Sequence, residues 1–541
     1  MSVFRGIIRH ISILGMFFLS LLNFQAAAAS KDKRIVVTIV STNDVHGKYF
    51  DSLYVRNESN PTSYANVSSF VNSLRSEGKD PVLIDVGDNL QGDNAAYYFN
   101  NVDTADVHIL PRVLNYLKYD AVVVGNHDVE SGHRVYDRVR SELNCSYLAA
   151  NAIKPDGNPY FDSYAILQRS GLKIAVIGFT NPNIPSWIAP NLYSGMKFDS
   201  IPRLAQRYID SINVWEKPKP DIVIIAVHAG TGPGDDSDFE NVGLECARRL
   251  HGVDVVLCSH DHQQYAGLVD GADGNKVLLM NAGKQASYIG LGTVAVTLGN
   301  GKAISKTVDG HTIPMACMPV DKEYAEHFRS DFLKVKEFTN KEIGVITEPI
   351  NCNAAIQGPN SYVHLLQTVM METTGADISF CAPISSATVT SGPINIQDLY
   401  TLYPYENQLY AVKMTGEQIK NMLEMSYNFW VTGSGPTFNF DSAEGIIYEV
   451  YRTAPFGQRV VIKSMQDGSP FYLKKTYIVA MTSYRASGGG DLLKKGAGID
   501  PTGIDSIVVG RYPEIRNLLY EYVHRHQIIR PAAGDNWKFI N

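Results

Sequence analysis

From Arg34 to Val320 the chain alternates short, almost wholly apolar runs with longer stretches of helical periodicity. Ile35 to Val40, Pro81 to Ile84, Val122 to Val124, Lys173 to Gly178, Asp221 to Val227 and Val253 to Cys258 are dense in Val and Ile and flanked by turn residues, so they read as buried strands. Strands of this kind separated by helical segments predict α/β layers around a substantial sheet. A charged, helix-like segment over residues 321–342 then reads as a linker, dividing the chain into a first domain at 34–320 and a second at 343–541. In the second part helix and strand patterns mix, and Thr415 is placed to cap an amphipathic helix running through Leu423.

The apolar runs share one property. Five of them deliver a residue able to bind metal at their carboxyl ends: Asn43-Asp44-Val45-His46-Gly47, Gly87-Asp88-Asn89, Gly125-Asn126-His127-Asp128, His228-Ala229-Gly230 and Ser259-His260-Asp261-His262. Any one of these reads equally as a polar turn at a strand end. Five at the same end of their strands point instead to a site in the crevice beyond the sheet, where open α/β folds bind ligands. Asp44 and His46 stand two apart, so in extended backbone both side chains face one side. Oxygen and imidazole donors without thiolate suit Mn, Zn, Fe or Co, and there are too many for one tetrahedral ion. A pair of divalent ions bridged by a carboxylate fits the count, and such a pair activates water and holds the oxygens of an in-line displacement at phosphorus.

Composition narrows the setting. At 541 residues the chain exceeds what one core usually supports, and a formal net charge of -7 with no basic stripe excludes a dedicated binder of nucleic-acid polymers. Arg5, Arg9 and His10 precede an apolar run from Ile11 to Phe24 and the small residues Ala26 to Ser30, which reads as a signal peptide over residues 1–29. The run is short for a bilayer span, no cysteine marks a lipid-attachment site, and the last residues are polar. The mature protein is therefore expected to be exported, periplasmic or extracellular, without a stable membrane anchor. Six cysteines show no Cys-x-x-Cys spacing and allow fifteen full pairings, among which the sequence does not choose.

The five metal-capable motifs, in this order, resemble those of the calcineurin-like metallophosphoesterases. The rest of the chain resembles the exported 5'-nucleotidase and 2',3'-cyclic nucleotide 2'-phosphodiesterase branch. The resemblance implies a four-layer α/β/β/α sandwich followed by an α+β C-terminal domain that binds a small nucleotide substrate. It also implies that Asp44, His46 and His262 hold one ion, that Asp88 bridges, that Asn126, His228 and His260 hold the second, and that His127 is catalytic. This chain departs from the family pattern at His262, where relatives often carry glutamine, and at Glu130, where they pair the catalytic histidine with aspartate. Glu130 is placed either to orient His127 and favour its imidazolium or to sit solvated on a loop.

Three C-terminal stretches carry the remaining resemblance: Leu402 to Leu409, Phe438 to Ile446, and Thr482 to Asp491. By residue-to-residue correspondence Phe438 and Tyr484 would sandwich the base, with Asn126 and Asp491 also contacting substrate, and with Phe440 the alternative to Phe438. Arginines common in the C-terminal domain of 5'-nucleotidases are missing near Ser385 to Thr388, and the three stretches look more like the cyclic 2'-phosphodiesterase and 3'-nucleotidase side. The expected activity is phosphoester hydrolysis of nucleotides by metal-activated water attacking phosphorus in line. A catalytically silent binding protein, or a hydrolase of another phosphate or sulfur ester, is the alternative.

Overall fold

A computed structural model describes residues 32–54, 59–300 and 302–541. The signal-peptide segment expected at 1–29 lies outside the described residues. The first part of the chain contributes twelve principal strands: β1 (Lys33–Thr42), β2 (Val82–Asp85), β3 (Ala121–Val123), β4 (Ser146–Leu148), β5 (Tyr164–Arg169), β6 (Leu172–Phe179), β7 (Ile222–Val227), β8 (Val255–Cys258), β9 (Gln264–Asp270), β10 (Lys276–Ala282), β11 (Tyr288–Gly299) and β12 (Lys302–Pro314). They form two six-stranded sheets, in the orders β12-β11-β1-β2-β3-β4 and β9-β10-β8-β7-β6-β5. The strands that deliver the polar motifs pair in parallel: β1 with β2, β2 with β3, β6 with β7 and β7 with β8. Their carboxyl ends therefore share one edge of each sheet.

Period-two alternation decides the layering. Ile35, Val37 and Ile39 of β1 join Ile84, Val123, Ile174, Val176, Ile224 and Leu257 in a core between the sheets. Their neighbours point outward. Val40, Leu83 and Val122 pack under helices Tyr64–Ser76 and Ile109–Leu117. On the far side Ile177, Val223, Ile225 and Val256 pack under helices Ile201–Trp215 and Gly243–Arg249. The result is an α/β/β/α sandwich, and the strands buried on both faces account for the unbroken apolar runs in the sequence.

Helices Lys322–His327 and Arg329–Thr339 follow. Tyr324, Phe328 and Val335 bury into the first domain's core, and Arg112 holds Asp331 with two hydrogen bonds of 2.6 and 2.9 Å. The segment between the domains is thus docked on the first. Beyond it a five-stranded mixed sheet built on Gln408–Thr415 and Thr476–Thr482 is covered by helices Ser361–Thr374, Gly416–Thr432 and Ile515–His526. Thr415 caps its helix through a reciprocal hydrogen bond with Gln418. All six cysteines are free thiols, and Cys246, Cys258, Cys352 and Cys381 are buried. No helix among the described residues is long and apolar enough to cross a membrane.

Candidate active site

The loops leaving β1, β2, β3, β7 and β8 converge. Asp44, His46 and His262 bring one ligand-capable atom each within 4.8 Å of one another, and Asp88, His228 and His260 do the same beside them. Asp44, His46, Asp88, His260 and His262 all adopt left-handed backbone, with φ between 49° and 71°. They are five of the twelve non-glycine residues with positive φ among the described residues. Strain of this kind persists where surrounding structure over-determines it, and it clusters at functional sites. Two glycines make room for it: a Cβ on Gly125 would collide with the Asp88 carboxylate, and one on Gly87 would lie 2.9 Å from Nδ1 of His228.

The donor set fits two cations. His228 lies 2.7 Å through Nδ1 from the carbonyl of Val86, and a carbonyl only accepts, so Nδ1 carries hydrogen. Its Nε2 then faces Oδ2 of Asp88 at 3.2 Å and Oδ1 of Asn126 at 3.0 Å. His46 repeats the pattern: Nδ1 donates to the Gln91 carbonyl at 3.1 Å, and Nε2 stands 3.1 Å from Nε2 of His262. Oδ1 of Asp44, fully buried, has no hydrogen-bond partner and lies 3.7 Å from Nε2 of His262. Ring nitrogens and carboxylate oxygens converging on the same two points, together with an orphaned carboxylate oxygen, describe two sites that want positive charge.

Protonation behaves accordingly. Burial works against charge on His228, but the adjacent Asp88 and then Asp44 outweigh it and raise its pKa to about 9, so a proton stands where a cation would. Burial, the largest influence, raises Asp44 to about 7. Burial also drives His46 down to about 3 and His262 down to about 4, leaving both imidazoles as neutral donors.

Asp128, which the sequence presented only as the end of a tripeptide, proves to be the organiser of this loop cluster. Its carboxylate accepts from four backbone N–H groups, those of Asp88, Asn89, Leu90 and Gly125, at 2.8 to 3.0 Å. It therefore fixes the loop carrying Asp88 to the loop carrying Asn126. A carboxylate closing an -Asn-His-Asp- turn was the available signal; the three distant donors, Asp88, Asn89 and Leu90, were not legible.

His127 and Glu130 lie in the short helix Asn126–Glu130. Nδ1 of His127 is 2.6 Å from Oε2 of Glu130, so the carboxylate is a partner of the ring, not a solvated loop residue. Burial opposes the imidazolium, yet the charges of Asp88 and Glu130 and the Glu130 hydrogen bond raise the pKa of His127 to about 10. The other ring nitrogen is left to serve a ligand.

A cavity of about 290 Å³ runs from Asn126, His127 and His260 to Tyr405, Phe438 and Tyr484 in the C-terminal domain. Phe438 and Tyr484 do not stand parallel: their centroids are 6.3 Å apart at 85°, an edge-to-face contact, so the expected sandwich is not preformed. The Tyr484 ring lies over Gly489, where a Cβ would collide with it. Phe440 is buried and stacked on Trp430 at 5.3 Å, outside the cavity lining. Asp491 is also outside the lining; a left-handed turn directs it to Nζ of Lys495 at 2.7 Å.

Two buried arginines shape the far wall, and neither drew attention in the sequence. Arg485 pairs with Asp441 at 2.6 Å and donates to the Phe438 carbonyl at 2.8 Å, tying the two aromatic segments together. Arg516 donates to the carbonyls of Tyr403, Pro404 and Tyr405 at 3.0 to 3.1 Å and stacks 3.8 Å over Tyr400. It holds the Tyr-Pro-Tyr turn to helix Ile515–His526 of the second domain.

The fold and site define a two-domain metallophosphoesterase. Residues 37–264 match the calcineurin-like phosphoesterase family and residues 342–495 match the 5'-nucleotidase C-terminal domain. The chain belongs to the family that joins these two domains. It is 26% identical to a 2',3'-cyclic-nucleotide 2'-phosphodiesterase/3'-nucleotidase of Haemophilus influenzae, over 98% of this chain and 91% of that protein. It is 23% identical to the trifunctional nucleotide phosphoesterase protein YfkN of Bacillus subtilis, over 94% of this chain but only 39% of that longer protein. Among solved structures, the 5'-nucleotidase precursor of Thermus thermophilus superposes with a TM-score of 0.66 at 21% identity, covering 94% of this chain and all of that one.

Proposed function

We propose that the protein is an exported hydrolase of nucleotide phosphoesters, with the phosphoryl group at the paired histidine and aspartate clusters and the nucleoside against the C-terminal aromatics. The observation that carries this reading is the cavity that reaches the metal-capable residues through Asn126 and His260, beside His127, at one end and has Phe438 and Tyr484 at the other. Asp44, His46 and His262 would hold one divalent ion, Asn126, His228 and His260 a second, and Asp88 would bridge. When bound, the pair supplies water activation and neutralises phosphoryl oxygens; Mn, Zn, Co and Fe all suit the donors.

The chain's own groups do the rest. Glu130 holds the Nδ1 proton of His127, which leaves Nε2 to donate to a phosphoryl oxygen or to the departing alkoxide. Tyr484, backed by Gly489, presents a face for a base, and stacking tolerates any base. Among the described residues the only arginine in the cavity lining is Arg485, and its guanidinium is spent on Asp441. A nucleotide with one phosphoryl group fits such a lining better than a di- or triphosphate, and the likeness to a 2',3'-cyclic-nucleotide 2'-phosphodiesterase/3'-nucleotidase supports the cyclic and 3'-phosphate reading among the monophosphates.

The test is phosphate release from 5'-AMP, 3'-AMP and 2',3'-cyclic AMP by protein loaded separately with Mn, Zn, Co and Mg, following the cyclic substrate also by its nucleotide product. Turnover of the cyclic and 3' substrates is expected. Turnover of 5'-AMP alone would move the protein to the 5'-nucleotidase side, and no turnover with ions bound would leave a binding protein.

A further inference from the structure

His260 is held on every side. Its backbone N–H donates to Oδ2 of Asp44 at 3.0 Å, Nδ1 lies 2.9 Å from Oδ1 of Asn126, and the indole of Trp187 stacks on the ring at 5.2 Å and 25°. The remaining ring nitrogen, Nε2, is 3.0 Å from Oε1 of Glu240. Glu240 is itself fixed. Its Oε2 accepts from Nδ2 of Asn183 at 2.9 Å, and Oδ1 of Asn183 accepts from Ser186 at 2.6 Å. The carbonyl of Glu240 accepts from Nδ2 of the buried Asn181 at 3.3 Å. The loop after β6 and the loop after β7 are thus latched to each other over one imidazole.

We infer that Glu240 is the positioning residue of the second cation site, acting through His260. The inference rests on the metal-centre reading above. A neutral imidazole carries one N–H, and a ligating nitrogen must be bare. A carboxylate only accepts, so Glu240 selects the tautomer with hydrogen on Nε2 and turns the Nδ1 lone pair toward Asp88, Asn126 and His228. His46 and His228 have their protons placed by the neutral carbonyls of Gln91 and Val86. His260 has a carboxylate as its acceptor, and that carboxylate ties the second site to the loop carrying Trp187.

Calorimetric titration of the metal-free protein with Mn or Zn tests this without reference to catalysis. Wild type is expected to take up two equivalents. Glu240→Gln, which keeps the shape but removes the charge, is expected to weaken one equivalent about 10- to 100-fold and leave the other unchanged. Glu240→Asp and Asn183→Ala are expected to give smaller losses of the same equivalent. In ¹⁵N spectra the His260 ring of Glu240→Gln is expected to populate the other tautomer. Two equivalents bound with wild-type affinity in folded Glu240→Gln would overturn the inference and leave the metal-centre reading standing. Failure of the wild type to bind any pair would overturn both.

Discussion

Nδ1 of His127 lies 2.6 Å from Oε2 of Glu130, one turn further along the same short helix. The carboxylate fixes the ring's orientation through Nδ1 and, with Asp88, keeps a proton on it far above the ordinary histidine range. His127→Ala should lower kcat by about 10² to 10⁴, the usual contribution of a proton donor, while metal stoichiometry stays at the wild-type value. Glu130→Gln removes a charge that favours the imidazolium. Because the pKa of His127 is raised, losing that charge lowers it, and the alkaline limb of the kcat/KM profile should move to lower pH. An unmoved limb would deny the pair its role.

Tyr484→Ala should raise KM for a nucleotide about 5- to 150-fold, the equivalent of about 1 to 3 kcal/mol of stacking, and spare p-nitrophenyl phosphate. Phe438→Ala should cost less, because Phe438 meets Tyr484 edge-on and must turn before it can cover a base. Equal losses on both substrates would place the base elsewhere.

Asp128→Asn removes the charged acceptor shared by four backbone donors. A hydrogen bond to a charged group is worth about 1.5 to 3 kcal/mol, so urea unfolding of the metal-free variant should show a loss of at least that size. Its affinity for both ions should fall as well, since Asp88 sits on the loop that Asp128 anchors. Retained affinity would show that the loop is fixed by other contacts.

His364 bonds Oε2 of Glu444 at 3.1 Å, and that hydrogen bond raises its pKa against the opposing effect of burial. A raised histidine stabilises the fold fully below its unfolded pKa, and the contribution is lost as pH rises through the folded value. Wild type should therefore lose melting temperature relative to His364→Gln between pH 6 and 8, as measured by thermal scans of the metal-free proteins. Parallel curves would show that the contact is pH-neutral.

The sequence by itself determined which residues are available and where they leave the sheets. Asp44, His46, Asp88, Asn126, His228, His260 and His262 each follow a strand or its turn, and the unbroken Val and Ile runs announced strands buried on both faces. Those signals are local, so period and turn chemistry suffice to read them. Tertiary structure decided what local pattern does not encode. Glu130 became a partner of His127 through the helix that carries both, and Asp128 became a hub only when the loop after β2 met its own. Asp491 turned away to Lys495, whereas Glu240, twenty residues before His260, came within 3.0 Å of it. Arg485 and Arg516 look like any other arginines in the sequence, yet each is buried and fixes a wall of the cavity. Such contacts join segments whose separation in sequence sets no distance in space, and their geometry exists only after both cores have packed.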